Sequence, residues 1–392
     1  MKRIYLDYAA TTPTDPRVVK AMLPYFNKRF GNTMSLHSFG RETKQAVEEA
    51  RAKIAELMNA EATDVFFTSS ATEANNLVLK GIAWASEKGG KKGKRKGHII
   101  VSSIEHPCII NSAKWLSKRF DVTFLSVDKY GLVKPEDVEA SLRKDTILVS
   151  IMHANNEIGT IEPIKEIGKI CNNAGVPFHT DAAQSFGKLP IDVERMNIDM
   201  LTVSSHKMYG PLGIAALYVR KGIKLEPLLH GGGHEQGLRS STINVAGVVG
   251  FGKAVEIAKK EMKKEAYIQT KLRDRLIKKI LCIPDSHLNG HPRKRLPNNA
   301  NFWFAYIEGE SLVMQLDAVG IAASTGSACS SAKLEPSHVL LAIGLKPEEA
   351  HGSLRLSLGR FTKRSDIDYT IKVLPQIVER LRKISPFKGS WG

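Results

Sequence analysis

Short hydrophobic runs recur along the N-terminal and central parts of the chain, and each is followed by polar residues and then by a stretch with helical periodicity. The runs at residues 99–103, 147–152, 176–180 and 201–203 predict buried strands. A further strand is predicted at residues 65–68, before a helix over 74–85. Because strands alternate with helices, the pattern predicts an α/β fold with a large, mainly parallel sheet.

Polar side chains follow the carboxyl ends of these predicted strands. They are His106, Asn156, Asp181 and Lys207. In parallel sheets, ligands bind beyond the carboxyl ends of the strands. We therefore expect the four side chains to face one crevice.

Lys207 indicates the chemistry of this crevice. Ser204, Ser205 and His206 precede it and offer hydroxyl and backbone N–H groups to a phosphate. A lysine amine forms a Schiff base with an aldehyde, so the combination is typical of an enzyme that uses pyridoxal 5'-phosphate (PLP). The alternative is a solvated surface lysine.

Three other elements fit a PLP site. Asp181 can keep the pyridine nitrogen protonated, and His106 can stack on the ring and move protons. Ser70 and Thr72 precede a predicted helix, whose N-terminus suits a phosphate. The structural alternatives are helix-capping roles for Asp181, Ser70 and Thr72 and a structural role for His106.

The four cysteines differ in their surroundings. Cys329 lies among small residues, which predict an accessible loop, and a loop thiol is reactive if its pKa is lowered. Cys171 and Cys282 are predicted to be buried and inert, and the placement of Cys108 stays open. The cysteines form no C-x-x-C pair and no metal-ligand spacing, which predicts a reducing, cytoplasmic location and no resident metal.

The composition and the apolar runs argue against two classes, secreted proteins with a signal peptide and membrane-spanning proteins. A chain of 392 residues with 42% hydrophobic content can bury a full core, and it shows neither a signal-peptide pattern nor an apolar run of membrane length. The net charge of +17 is concentrated in the stretch 88–96, which predicts a solvated basic loop or, alternatively, a contact with an acidic partner or nucleic acid. No nucleic-acid motif accompanies it, so nucleic acid is not expected.

The pattern predicts two domains. Residues 15–258 form the large PLP-binding domain, and residues 1–14 and 259–392 form a smaller α/β domain with the Cys329 loop. A lysine-rich helix over 255–280 connects them. In the small domain, residues 301–304 predict a strand and residues 371–381 an amphipathic helix.

Segments along nearly the whole chain resemble the cysteine desulfurases, the NifS/IscS-like branch of the class-V aminotransferase family. The matching segments keep the family's order and are residues 5–13, 71–76, 105–106, 153–159, 179–185, 205–211, 230–235, 326–329 and 355–360. The resemblance implies a PLP-dependent transferase of fold type I. It also implies conversion of L-cysteine to L-alanine, with a persulfide on Cys329 that supplies sulfur for iron–sulfur cluster assembly or tRNA thiolation.

The resemblance implies a role for each site residue. The catalytic residues are Lys207 as the Schiff-base lysine, Cys329 as the nucleophile and His106 on the ring. Gln184 would pair with the ring hydroxyl, and Asn156 and Arg355 with the substrate carboxylate. The full set of implied cofactor contacts is Ala71, Thr72, His106, Asn156, Asp181, Gln184, Ser204, Ser205, His206 and Lys207, with Thr242 reaching in from the partner subunit.

The resemblance also implies partners: a second copy of the chain in a homodimer, and a sulfur-acceptor protein, either an iron–sulfur scaffold or a tRNA-thiolation protein. Cys329 would be the residue able to ligate an iron–sulfur cluster transiently. Ser70 and Ser205 depart from the family pattern, which has glycine at both positions. The alternatives are a selenocysteine lyase or another class-V PLP enzyme and, in a different class, a non-catalytic nucleic-acid or partner-binding protein.

Overall fold

The computed structural model describes residues 3–88, 97–326 and 335–386. The strands in these ranges are β1 Ile4–Tyr5, β2 Val65–Thr68, β3 His98–Ser102, β4 Asp121–Leu125, β5 Thr146–Ser150, β6 Phe178–Asp181, β7 Met200–Ser204, β8 Ala215–Val219, β9 Ser286–Asn289, β10 Asn299–Phe304, β11 Ile321–Ala322 and β12 Ser353–Ser357. The helices are α1 Pro16–Met22, α2 Pro24–Asn27, α3 Ser38–Met58, α4 Ala71–Lys88, α5 Pro107–Leu116, α6 Pro135–Ser141, α7 Ile164–Ala174, α8 Val245–Ile280, α9 Gly309–Ala318, α10 His338–Ala342, α11 Pro347–His351 and α12 Arg364–Ile384. Short 3-10 turns lie at Ala62–Asp64, Ser205–Lys207 and Glu235–Gly237.

The predicted α/β fold with a mainly parallel sheet is confirmed. Seven strands form one sheet in the order β2-β8-β7-β6-β5-β3-β4. Strand β8 runs antiparallel to both of its neighbours, and the other neighbouring pairs are parallel. The carboxyl ends of β3, β5, β6 and β7 therefore meet at one edge of the sheet.

Helices cover both faces of this sheet. Val149 and Leu148, neighbours on β5, face opposite sides because side chains alternate along a strand. Val149 packs in one core with Ile54 of α3 and Phe251 of α8. Leu148 packs in the other with Leu77 of α4. Burial on both faces explains why the strands are continuous hydrophobic runs rather than alternating ones.

A second core lies around the antiparallel sheet β12-β10-β9. The N-terminal segment joins it, because β1 pairs with β11 and the N–H of Leu6 donates to the carbonyl of Ala322 at 2.8 Å. Helix α8 connects the cores, with Phe251 packed against the large sheet and Leu276 in the second core. The domain boundaries, 15–258 with 1–14 and 259–392, stay a prediction.

Three helices begin earlier than the sequence predicts, among them α12, which begins at Arg364 rather than at residue 371. Helix α4 begins at Ala71, where the Ser70 hydroxyl accepts from the Glu73 N–H at 3.1 Å. Helix α8 begins at Val245 because tertiary packing outweighs the poor helix propensity of its glycines. A Cβ atom on Gly252 would lie 2.7 Å from the Cβ atom of Ala50, so glycine lets α8 approach α3 closely.

The prediction for Cys282 is wrong. Its side chain is exposed in the turn after α8, and its thiol donates to the Lys278 carbonyl at 3.3 Å. Cys171 is fully buried, and burial raises the pKa of its thiol to about 12.

The basic stretch 89–96 and Cys329 lie outside the described residues. No helix in the described ranges is long and apolar enough to cross a membrane.

Candidate active site

Lys207 stands where β7 ends and the 3-10 turn Ser205–Lys207 follows. Its Nζ atom donates to the carbonyl oxygens of Ala9 and Ala10, each at 2.6 Å. A segment from the N-terminus of the chain therefore holds the lysine amine at the edge of the large sheet.

The same N-terminal segment fixes the turn around Lys207. Thr12 donates to the His206 carbonyl from its N–H at 3.0 Å and from its hydroxyl at 2.8 Å. The hydroxyl of Thr12 also accepts from the N–H of Tyr209 at 2.8 Å. Tyr209 has a φ of 66°, a conformation that side-chain-bearing residues rarely adopt. These hydrogen bonds hold the backbone after Lys207 in that conformation.

His206 is a neutral imidazole in this environment. Burial, followed by the charges of Lys207 and Lys188, lowers its pKa to about 4. Its Nδ1 atom lies 3.0 Å from the hydroxyl of Thr11. A neutral imidazole has one N–H group and can bind a phosphate only by donating it. The predicted phosphate role of His206 therefore requires that this N–H group faces the phosphate.

Asp181 ends β6, the strand beside β7, and is nearly fully buried. Its Oδ2 atom accepts from Nδ2 of Asn75 at 2.7 Å, and its Oδ1 atom accepts from the N–H of Ala183 at 2.9 Å. Donors therefore reach both oxygen atoms of the Asp181 side chain. The structure thus brings a buried carboxyl group, fixed by two hydrogen bonds, to the sheet edge that carries Lys207.

His106 caps the start of α5, with Nδ1 accepting from the N–H of Cys108 at 3.2 Å. Burial lowers the pKa of the imidazole; the Asp181 charge opposes this shift, and the Lys207 charge adds to it. The ring is therefore neutral near pH 7.

Cys108 lies beside this site. Its Sγ atom is 3.0 Å from Nδ1 of His106 and 3.2 Å from Nδ2 of Asn75. Burial and then the charge of Asp181 raise the pKa of the thiol to about 12. Because the thiolate is the nucleophile, Cys108 is a poor candidate for sulfur chemistry.

The predicted phosphate ligands lie on two elements. Ala71 and Thr72 are in the first turn of α4, whose N–H groups have no acceptor within the helix. Ser204 ends β7 and is nearly fully buried. Ser205 is buried with its hydroxyl directed at Gly210, without a hydrogen-bond partner among the described residues.

Gln184 and Thr242 are placed very differently. Gln184 is buried, its Nε2 atom donates to the Ala9 carbonyl at 2.9 Å, and its Oε1 atom has no partner in the described part of the chain. Thr242 is exposed in the segment before α8. Its role at a partner's site stays a prediction.

Arg355 lies on β12 and is buried. Its Nη2 atom pairs with Oδ1 of Asp7 at 2.9 Å, and its Nη1 atom donates to the carbonyls of Asn156 at 2.9 Å and Gly326 at 3.4 Å. Its Nε atom is buried and has no partner among the described groups. The structure thus brings Arg355 and Asn156 together and leaves one N–H donor for a ligand.

Both flanks of the segment that contains Cys329 meet the turn that contains Asn156. Gly326 is the last described residue before that segment, and a Cβ atom there would lie 3.5 Å from Oε2 of Glu157. After the segment, the Ser337 hydroxyl donates to the same Oε2 atom at 2.5 Å. Described residues on both sides of that segment therefore contact one carboxylate next to Asn156.

Residues 4–370 match the sequence profile of the family "Aminotransferase class-V". The chain belongs to this family. It is 55% identical to "Cysteine desulfurase IscS 1" of Archaeoglobus fulgidus over 97% of this chain and 98% of that protein. It is 52% identical to "Cysteine desulfurase IscS" of Dictyoglomus turgidum over 100% of this chain and 98% of that protein. The predicted resemblance to the IscS/NifS-like class-V enzymes is confirmed.

Solved structures of class-V relatives have the same fold. A "NIFS-LIKE PROTEIN" superposes with a TM-score of 0.90 at 38% identity, covering 97% of this chain and 100% of that chain. A structure named "SspA in complex with cysteine" superposes with a TM-score of 0.80 at 39% identity, covering 92% of this chain and 100% of that chain.

PLP is the cofactor of this family, and the residues present fit it. The site offers a lysine amine at Lys207, a buried carboxylate at Asp181 and first-turn N–H groups at Ala71 and Thr72. The Oε1 atom of Gln184, which has no partner among the described residues, is an acceptor that a ring hydroxyl would satisfy.

Three contributors were not predicted from the sequence. Asn75 binds Asp181, Asp7 binds Arg355, and the carbonyl of Ala9 accepts from both Lys207 and Gln184. A sequence signal existed for Asn75, because it is a polar residue beside apolar positions such as Ala74 and Leu77 in the predicted helix. All three contacts join residues that are far apart in the chain.

Proposed function

We propose that the protein is a PLP-dependent cysteine desulfurase. It takes the sulfur atom from L-cysteine, releases L-alanine and carries the sulfur as a persulfide on Cys329. The names of its close relatives support this activity, and one structural relative is named as a complex with cysteine.

The observation that carries the proposal is the position of Arg355. The guanidinium is buried, keeps an Nε–H donor that has no partner among the described residues, and contacts the carbonyls of Asn156 and Gly326. Guanidinium groups bind carboxylates in a fixed geometry. Gly326 directly precedes the segment that contains Cys329. A substrate carboxylate bound to Arg355 would therefore lie near the segment that carries the thiol.

The proposed reaction balances without an external oxidant. L-Cysteine and the Cys329 thiol contain the same atoms as L-alanine and the Cys329 persulfide. The thiolate attacks the substrate sulfur, so an S–S bond forms while the Cβ–S bond breaks. The electron pair of the broken bond stays with Cβ, which takes up a proton.

When bound, PLP supplies an aldehyde carbon that reacts with amines and a ring that withdraws electrons. Lys207 would hold the cofactor, and its amine would take the Cα proton of the substrate. Asp181 would keep the ring nitrogen protonated, and Gln184 would accept from the ring hydroxyl. Neutral His106 would stack on the ring, where it could accept a proton.

The remaining predicted residues hold phosphate and substrate. The phosphate ligands we propose are Ala71, Thr72, Ser204, Ser205 and His206, with Thr242 from the partner subunit. Asn156, whose carbonyl accepts from Arg355 at 2.9 Å, would contact the cofactor, and both residues would hold the substrate carboxylate.

The test is incubation with L-cysteine and a reductant, with alanine and sulfide measured together. A desulfurase forms both in equal amounts, and formation stops when Cys329 is replaced. L-Selenocysteine in a parallel reaction tests the selenocysteine lyase alternative, and a 2-oxo acid as amino acceptor tests a transaminase, which does not need Cys329. A protein that binds no PLP and forms neither product contradicts the proposal.

We also propose a homodimer. The region from α1 to the start of α3 exposes large apolar side chains: Leu23, Phe26, Phe30, Met34, Leu36 and Phe39. Exposed apolar patches of this kind are typical of protein interfaces. Analytical ultracentrifugation should give twice the chain mass of 43.2 kDa, and a monomer with full PLP occupancy contradicts a shared site.

The sulfur acceptor is proposed to be an iron–sulfur scaffold or a tRNA-thiolation protein, and the location to be the cytoplasm. The location rests on the cysteine spacing, which shows no disulfide pattern. Transfer of ³⁵S from the loaded enzyme to a purified acceptor tests the first of these proposals.

A further inference from the structure

Residues 229–244, between β8 and α8, form a segment here called the strap. It contains one short 3-10 turn, Glu235–Gly237, and three consecutive glycines at 231–233. Apart from the predicted role of Thr242, the chemistry proposed above does not use it. The strap runs along the connection from β2 into α4. The start of α4 is the part of the site that would receive the cofactor phosphate.

Buried contacts fasten the strap beside β2. The carboxylate of Glu235 accepts from Nη1 and Nη2 of Arg51, each at 2.8 Å, and from the N–H of Phe67 at 2.6 Å. Nε2 of Gln236 donates to the Thr63 carbonyl at 2.8 Å. Glu235 and Gln236 have φ values of 49° and 55°, so these contacts hold a backbone conformation that costs free energy.

A further contact reaches the first turn of α4. Nε of Arg239 donates to Oε1 of Glu73 at 2.8 Å, and Nη2 donates to Oε2 at 3.3 Å. The same Oε2 atom accepts from the N–H of Ser69 at 3.0 Å and from the Ser69 hydroxyl. One carboxylate therefore joins Arg239 to the turn that precedes Ala71.

The charge of Glu73 matters at this position. Burial raises its pKa, but hydrogen bonds from Arg239 and Ser69 outweigh burial, so the pKa is lowered and the group is ionised at neutral pH. A carboxylate is favoured at a helix N-terminus. A phosphate dianion at the same helix end would be repelled by it unless a cation neutralised the carboxylate. Arg239 is the cation paired with Glu73.

We propose that Arg239 is a positioning residue for the cofactor phosphate. It neutralises Glu73 and ties the turn at Ser69 to the strap, which keeps the start of α4 receptive to a doubly negative phosphate. The inference rests on the proposed function, because it takes PLP as the phosphate ligand.

The test is a double-mutant cycle on the apoprotein with Arg239→Gln, Glu73→Gln and the double variant. The apparent Kd for PLP and for pyridoxal, which lacks the phosphate, is measured by absorbance titration, and the unfolding temperature of each apoprotein is recorded. Arg239→Gln should weaken PLP binding by about tenfold or more and leave pyridoxal binding unchanged. The double variant should bind PLP more tightly than Arg239→Gln, because it no longer carries the unpaired carboxylate.

Arg143→Gln is the matched control. Arg143 pairs with Asp121 and Asp145 near the amino ends of β4 and β5, so its loss should leave both affinities unchanged. If Arg239→Gln does not fold, Arg239→Lys keeps the charge without the paired hydrogen bonds and should weaken PLP binding by about threefold.

Two results overturn the inference. One is an Arg239 variant that binds PLP as tightly as the parent. The other is an equal loss of PLP and pyridoxal, which would make Arg239 a residue of general structural importance. If the parent protein itself binds no PLP, the proposed function fails, and that outcome is distinct from either result.

Discussion

The lysine side and the arginine side of the site are positioned by different kinds of contact. Asp181 ends β6 and Lys207 follows the neighbouring strand β7, so one sheet brings their backbones together, and the carbonyls of Ala9 and Ala10 hold the lysine amine. Arg355 is held by Asp7, by the Asn156 carbonyl and by the Gly326 carbonyl. These partners come from separate parts of the chain, and one of them borders the Cys329 segment.

From this difference we infer that the lysine side and the arginine side of the site have different roles. Groups at the ends of buried strands are rigid, which suits a cofactor that must be held in one orientation. The arginine side borders the segment with Cys329, whose thiol would, under the proposed function, reach the substrate and carry sulfur away. Substitutions on the lysine side should therefore affect cofactor chemistry, and those on the arginine side should affect substrate use while the cofactor stays bound.

Lys207→Ala should have the largest effect. It removes the amine that holds the cofactor and the base that takes the Cα proton, so alanine formation should fall by about 10⁴-fold or more. The absorbance band above about 400 nm, typical of lysine-bound PLP, should also disappear.

Borohydride reduction of the parent followed by peptide mapping should label Lys207. Lys188 is the informative competitor, because burial followed by the charge of Lys207 lowers the pKa of its amine to about 7. Its Nζ atom donates to the Gln184 carbonyl at 2.8 Å. A label on Lys188 would contradict the assignment of Lys207.

Cys329→Ser tests the other side. The variant should keep the cofactor band and change its spectrum with L-cysteine, yet form alanine about 10³-fold more slowly, because a hydroxyl cannot hold a persulfide. Cys282→Ser is the control, since that thiol is exposed after α8 and away from the site. Turnover at the parent rate by Cys329→Ser would assign sulfur transfer to another group.

The same division explains what could be predicted from the sequence. Asp181 ends β6, and Lys207 follows β7 after a short turn. The local hydrophobic pattern predicts both strands, and ligands bind beyond the carboxyl ends of parallel strands, so the sequence is enough to bring the two residues together. The partners of Arg355 depend on how the N-terminal segment, β12 and the Asn156 turn assemble. No local pattern encodes such contacts, and only the family resemblance indicated Arg355.

Packing also decided the local errors. The early start of α8 depends on glycines such as Gly252, which permit close contact with α3. Sequence propensity counts glycine as a helix breaker and has no information about the neighbouring helix. Cys282 was expected to be buried because of its residue type, but its place in the turn after α8 exposes it.

Arg355→Lys should have an intermediate effect that is confined to substrate use. Lysine keeps the charge but cannot provide paired donors to a carboxylate, so kcat/KM for L-cysteine should fall by about 100-fold, mainly through KM. Cofactor content should match the parent. Arg220→Lys is a matched control, because Arg220 pairs with Glu194 and Asp199 away from the site. Loss of PLP from Arg355→Lys would contradict the division between the two sides.

Glu105→Gln should have the smallest effect on turnover and a measurable effect on stability. Glu105 precedes His106 on the lysine side and is fully buried. Its Oε1 atom accepts from the Ser102 hydroxyl at 2.6 Å and from the N–H of Met152 at 2.8 Å, and glutamine can accept both. We therefore expect turnover within about twofold of the parent.

The stability effect should depend on pH, because burial raises the pKa of Glu105 from 4.5 to about 8. Between these two values the folded protein keeps a proton that the unfolded chain has lost, so the free energy of unfolding falls as pH rises through this window. Glutamine does not titrate. The advantage of Glu105→Gln should therefore be absent below pH 4.5 and grow to about 4 kcal/mol near pH 8. Thermal unfolding of both proteins from pH 5 to pH 9 measures this difference in stability. A difference that stays constant across the range would show that the Glu105 carboxyl group is solvated rather than buried on the lysine side of the site.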